Sequence, residues 1–272
     1  MLLMEYIELF FKTIIFRSYV FIFLAAFLFS AIQLIGWQRA WRFWLISWAT
    51  AFVCEFSSTR TGIPFGWYHY TGSTVGQELY FSNIPFMDSI SFSFLLYAAY
   101  CVALCLLLPV EPSAGPAQPQ LKPLRFDAHA RTSWSVFWLT AFLFAFIDMV
   151  IDPVALRGDR WFLGKIYYYP DHGWHFGVPF ANYIGWIVVG CISLAIYFPF
   201  ERRLTTLSWS ASVTPCLLLG VGLYYGVLLF NLAVTFWIGE FFMGMSGLLM
   251  HLPILLLTAL RLTTWKPARS LP

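Results

Sequence analysis

With 60% hydrophobic and 11% charged residues over 272 positions, and a mean hydropathy of +0.73, the chain is far more apolar than a soluble domain, which runs roughly half apolar and a quarter charged. The composition indicates a polytopic integral membrane protein. The net charge is only +3 and the basic residues are scattered over short connections, without the clustered footprint of a nucleic-acid binder, so no nucleic-acid partner is expected. Cys54, Cys101, Cys105, Cys191 and Cys216 all lie inside apolar runs, where a thiol behaves as a small hydrophobe. They offer neither a disulfide framework nor a metal-ligand spacing.

Residues 1–17 mix aromatic side chains with Glu5, Glu8, Lys12 and Arg17, which suits a helix lying at the membrane interface better than a full span. No short hydrophobic region followed by a small-residue cleavage site is seen, and no cleaved signal peptide is expected. A bilayer core about 30 Å thick needs roughly 20 apolar residues per helix. Runs of that kind begin near Ser18, Trp41, Ile84, Trp134, Pro179, Val213 and Phe241, which predicts an all-α helical bundle of about seven transmembrane helices, a single transmembrane domain over 1–272. The Pro-rich, polar stretch 109–132 cannot continue a helix and reads as a surface linker between two halves.

In a seven-span arrangement the side holding the C-terminus carries ten basic residues: Arg39, Arg42, Lys122, Arg125, Arg131, Arg202, Arg203, Arg261, Lys266 and Arg269. The other side carries six: Lys12, Arg17, Arg60, Arg157, Arg160 and Lys165. This bias favours a cytoplasmic C-terminus, with the protein in a bacterial inner membrane.

The two halves share an order of features. In the first, Glu55 closes an apolar run, an aromatic loop with Trp67, Tyr68, His69 and Tyr70 follows, and Pro85-Phe86 opens the next run. In the second, Asp148 and Asp152 close the run, a loop with Tyr167, Tyr168 and Tyr169 follows, and Pro179-Phe180 opens the next. The proline follows the acid by 30 positions in one half and by 31, counted from Asp148, in the other. An internal duplication and the common grammar of membrane helices both account for the match. The proline is the cheap part, because its missing N–H would be unpaired in a first turn anyway. The acid is not cheap, since a carboxylate inside a span is costly and marks a functional site by default. In the seven-span arrangement both loops emerge on one face.

Asp148 and Asp152 are four apart, on one side of a helix, and Pro153 ends or kinks that helix just after. Such a pair serves as a general acid with an orienting partner or as a divalent-cation site. Structurally it can instead be capped by loop N–H groups or paired with Arg157 or Arg160. Glu55 has Arg60 five residues on and invites the same two readings. Asp88, in the first turn after Pro85, reads first as a partner of the helix dipole, and Glu240 as a solvated residue of a tight connection. His172 and His175 flank Gly173 and Trp174 without a third ligand, so no metal site is expected. His69 is either an interface residue or a polar member of the pocket. The loop aromatics belong either to the interfacial belt or to a pocket that stabilises a cation over its ring faces.

Gly62-Ile63-Pro64-Phe65-Gly66-Trp67-Tyr68-His69-Tyr70, Ile151-Asp152-Pro153-Val154 and Gly177-Val178-Pro179-Phe180-Ala181-Asn182-Tyr183-Ile184-Gly185-Trp186 together resemble the membrane-bound carotenoid biosynthesis family, over about half the chain. Its known members are carotenoid hydratases. The resemblance implies addition of water across a terminal C=C bond at the psi end of an acyclic or monocyclic carotenoid, with no cofactor and no metal. A carboxylic acid would protonate the alkene to a tertiary cation, and water would add. On this reading Asp148 is the acid or its partner, Glu55 the matching acid or base, and Asp152 with Asn182 positions water. Trp67, Tyr70 and Trp186 line the cation, with Tyr68 and His69 beside them. The implied partners are the carotenoid, membrane lipid and other enzymes of carotenoid biosynthesis. Two rival readings are a Mg²⁺-dependent isoprenoid transferase, from the Asp-x-x-x-Asp spacing, and a non-enzymatic carotenoid-binding or transport protein, for which an internal repeat is also typical.

Overall fold

The computed structural model describes residues 2–109, 124, 126–203 and 213–265. Most of the Pro-rich stretch and Lys122, Arg125, Lys266 and Arg269 of the charge count lie outside these. The described residues are mainly helical: α1 (Leu2–Phe16), α2 (Ser18–Ile35), α3 (Trp37–Thr61), α4 (Phe86–Leu107), the single turn α5 (Ala128–Arg131), α6 (Trp134–Ala155), α7 (Phe180–Arg203), α8 (Val213–Trp237) and α9 (Phe241–Trp265). Six of the described helices, α2, α4, α6, α7, α8 and α9, are long and apolar enough to cross a membrane. The predicted second span corresponds to α3, which is 25 residues long but carries Arg39, Arg42, Glu55 and Arg60 and falls short of the others in apolarity. At 15 residues, α1 is shorter than a span and mostly exposed, as an interfacial helix would be.

Local chemistry sets the breaks. Gly36 (φ 80°) separates α2 from α3, and Gly62 (φ 77°) ends α3 in the left-handed conformation that glycine adopts without strain. Ser133 caps α6, its hydroxyl accepting from the Val136 N–H. Pro85 immediately precedes α4, and Pro179 immediately precedes α7, where the absent N–H costs nothing. Pro153 does not end α6, which runs two residues further to Ala155.

The centre of the bundle is a four-helix arrangement. Helix α3 packs on α4 and α7, and α6 packs on α7 and α4, so that exchanging α3 with α6 and α4 with α7 preserves the neighbours. Close approach is built in: a Cβ on Gly185 of α7 would run into the Phe65 ring, and one on Gly220 of α8 would run into Cys101 Sγ of α4. Helices α2 and α8 cover α4 from the other side, and α9 lies against α8.

The two aromatic loops meet. Strand β1 (His69–Tyr70) of the first pairs antiparallel with β4 (Tyr167–Tyr168) of the second, in the register His69↔Tyr168 and Tyr70↔Tyr167. A small hairpin of β2 (Tyr80–Phe81) and β3 (Ile84–Pro85) leads into α4. The buried Arg17 side chain, between α1 and α2, fastens both loops: its Nε and Nη2 donate to the two Glu78 carboxylate oxygens (3.0 and 2.7 Å) and its Nη1 to the Leu163 carbonyl (2.7 Å). Such a forked ion pair fixes geometry as well as adding energy. Glu240, expected to be solvated, instead pairs with Arg157 and Arg160 of the second loop. At the opposite end of the helices, Arg39 and Arg131 both pair with buried Glu201.

Candidate active site

Beneath the paired loops lies a cavity of about 120 Å³ between α2, α3, α4, α6, α7 and α8. Its walls are mostly apolar and aromatic. Phe92 stacks on Trp186 (ring centroids 4.2 Å apart, 16° between planes), and Phe144 backs the same indole at 4.7 Å. Set into these walls are four carboxylic acids, Glu55, Asp88, Asp148 and Asp152, and no Lys, Arg or His among the described residues lines the cavity. The four acids form two clusters.

In the second half, Asp148 and Asp152 on α6 share the amide of Asn182 on α7: Asn182 Nδ2 donates to Asp148 Oδ2 (2.7 Å) and to Asp152 Oδ2 (3.0 Å). Asp152 also accepts from the Tyr169 hydroxyl on Oδ2 (2.7 Å) and from the Tyr167 hydroxyl on Oδ1. Asp152 thus has three donors over both oxygens, the environment of a carboxylate. Asp148 is fully buried and its Oδ1 has no hydrogen-bond partner. The arginines considered as partners are elsewhere: Arg157 donates to the Pro153 and Phe176 carbonyls and pairs with Glu240, as does Arg160. The loop phenols are held neutral. Burial, followed by the charge of Asp152, raises the pKa of Tyr167 and Tyr169 well above the ordinary phenol value.

In the first half, Glu55 of α3 and Asp88 of α4 flank the hydroxyl of Tyr70, which lies 2.9 Å from Glu55 Oε1 and 2.6 Å from Asp88 Oδ2. Ser89 closes the other side of Glu55, its hydroxyl bonded to Oε2. Arg60 does not reach Glu55; it lies over the Phe56 ring and donates to Ser82.

Of the nine residues singled out from the sequence, Glu55, Asp148, Asp152, Tyr68, Tyr70, Asn182 and Trp186 line this cavity, and Trp67 and His69 do not. Trp67 is 49% exposed, with its indole over Gly62. His69 lies between the rings of Trp67 and Tyr168. Strand alternation explains the split, since Tyr68 and Tyr70 point inward and His69 outward. From the sequence Asp88 reads as a helix-dipole residue, and neither Ser89 nor the hydrogen bonds of Tyr167 and Tyr169 to Asp152 are marked there. A signal for Asp88 existed: it stands three residues after Pro85, as Asn182 stands three after Pro179.

Residues 14–253 match the family described as carotenoid biosynthesis protein, and the chain belongs to it. Over 150 residues it is 29% identical to bisanhydrobacterioruberin hydratase of Haloarcula japonica, an alignment covering 54% of this chain and 41% of that protein. The chain thus matches less than half the length of this relative. No solved structure matches.

Proposed function

We propose that the protein is a carotenoid hydratase that adds water across a terminal trisubstituted C=C bond of an acyclic or monocyclic carotenoid, by proton transfer from a buried carboxylic acid and without a cofactor. The observation that carries this reading is the set of four acids around an apolar cavity that no Lys, Arg or His among the described residues lines. Four buried charges of one sign would repel and would each lose solvation, so some of these groups hold protons, and Asp148, with an unpartnered Oδ1, is the donor. Its proton forms the new C–H bond, the π pair leaves the more substituted carbon as a tertiary cation, and water supplies the C–O bond. The aromatic wall to which Trp186, Phe92 and Tyr68 belong stabilises that cation, an effect of about 2 kcal/mol or more when desolvated. Asp152 and Asn182 hold the second cluster in shape. Membership of the carotenoid biosynthesis family and the name of the Haloarcula relative agree with this chemistry.

A cavity of about 120 Å³ is comparable with the ~150 Å³ apolar cavity that admits a benzene-sized guest. It accommodates an end group, with the polyene extending into lipid. A diphosphate finds no basic side chain here among the described residues, which argues against an isoprenoid transferase. The protein acts in a bacterial inner membrane with its C-terminus in the cytoplasm, as the basic-residue bias suggests. Expression in a lycopene-accumulating host is expected to give pigment heavier by one or two waters in the mass spectrum. Unchanged pigment across acyclic and monocyclic carotenoids, with the protein present in the membrane, would overturn the reading.

A further inference from the structure

Hydration needs a group that takes a proton from the adding water as well as one that gives a proton to the alkene. Hydrogen counting around Tyr70 identifies a candidate. One phenol has one hydrogen, yet its oxygen lies within hydrogen-bond distance of two carboxyl groups, Glu55 and Asp88. It can donate to one of them only. The other contact requires a carboxylic O–H that donates to the phenol oxygen. Burial and the neighbouring acids raise the Tyr70 pKa well above its ordinary value, so the phenol keeps its hydrogen. The pair therefore carries at least one proton, and with one proton it has a carboxylate free to accept a second. In the other cluster the count differs, since Asn182 brings two N–H hydrogens and satisfies one oxygen of each aspartate.

We propose that Glu55 and Asp88 share one proton across Tyr70 and act as the general base, with Asp88 a catalytic residue that takes the proton of the adding water. This inference rests on the hydratase reading. The step balances: Asp148 O–H breaks as the C–H bond forms, the water lone pair forms the C–O bond, and the water O–H breaks with its proton passing to the Asp88 carboxylate. Asp148 is left anionic and the Glu55–Asp88 pair doubly protonated. One proton leaves the pair and one returns to Asp148 before the next turnover. Asp88 lines the cavity from α4 and Asp148 lines it from α6, so donor and acceptor stand on different walls.

The test separates protonation from water addition. The full-length protein in membranes is given lycopene in D₂O, and two quantities are followed by mass: hydrated product, and deuterium in the recovered alkene, which reports protonation followed by collapse of the cation. Asp88→Asn is expected to lower hydrated product by about 10²-fold or more, the usual range of a general base, with deuterium incorporation within a few-fold of wild type. Asp88→Glu should recover part of the hydration, and Asp148→Asn should lose both signals. Wild-type hydration by Asp88→Asn, or loss of both signals in it, overturns the proposal. If Asp88→Asn does not accumulate, Tyr70→Phe is read instead, with the same split expected at smaller amplitude. Failure of both to accumulate would make the cluster a structural support and also overturn it. A wild-type protein that hydrates nothing defeats the functional reading itself, an outcome distinct from these.

Discussion

The two acid clusters occupy equivalent places in two similar halves and differ at the third residue after the proline. Where α4 carries Asp88, α7 carries Asn182. That one difference changes the number of hydrogens available. The Asn182 side donates through an amide and two phenols, Tyr167 and Tyr169, and the Asp88 side through Tyr70 and Ser89. Where donors abound, Asp152 is fully ligated and Asp148 is left with a bare oxygen. Where donors are few, two carboxyl groups must share a proton. One scaffold thus generates two kinds of acid, and a reaction that consumes and releases a proton has use for both.

The comparison breaks most severely at Asp148. Asp148→Asn keeps the size and the ability to face Asn182 but holds no transferable proton, and hydrated carotenoid in a lycopene-producing host should fall by at least about 10²-fold. Near-normal product would mean that the second cluster is not the donor. Next in size, Asn182→Asp makes the second half resemble the first. It removes two N–H donors and adds a fifth acid, and hydrogen bonds to charged groups are worth about 1.5–3 kcal/mol. A fall of about 10- to 100-fold in hydration is expected, without rescue by a compensating Asp88→Asn change. Tyr167→Phe and Tyr169→Phe each remove one of the three donors on Asp152. Each alone should lower hydration about tenfold, and the double variant should fall further than either. A double variant that matches wild type would show that Asp152 needs only the amide.

Much of this arrangement was legible in the chain. Apolar run lengths placed the long helices, and Pro85 and Pro179 marked the starts of α4 and α7, because both signals arise from local backbone and bilayer constraints. Glu55, Asp148 and Asp152 stood out because charge inside an apolar run is expensive. Asn182 and Trp186 came from a resemblance and line the cavity. Trp67 and His69 were not separable from Tyr68 and Tyr70, since which side of a two-residue strand faces inward depends on the β1–β4 pairing, a contact between loops almost a hundred positions apart in sequence. Asp88 was hidden because a first-turn carboxylate has a sufficient local explanation, and only the tertiary approach of Tyr70 gives it another. Glu240 was misread for the same reason, its arginine partners lying in another loop.

The smallest effect concerns a feature found in the second loop. His175 is buried and its Nδ1 lies 2.6 Å from the hydroxyl of Tyr183, the residue after Asn182. Burial lowers the His175 pKa below the usual histidine value, so the folded state favours neutral imidazole. The unfolded chain then binds the proton more readily, and stability falls as pH drops below about 6.5, the ordinary histidine value. Stability from this group is complete above that pH and declines as pH falls toward the lowered folded-state value. In detergent, the melting midpoint of the wild type should decrease modestly between neutral pH and about pH 5. His175→Gln, which keeps a polar group facing Tyr183 but does not titrate, should flatten that slope. Because His175 adjoins α7 and not α4, the same titration should affect water addition only through Asn182 and leave the Glu55–Asp88 pair untouched. An unchanged slope in His175→Gln would place the acid sensitivity elsewhere and remove this loop as a pH-dependent support of the second cluster.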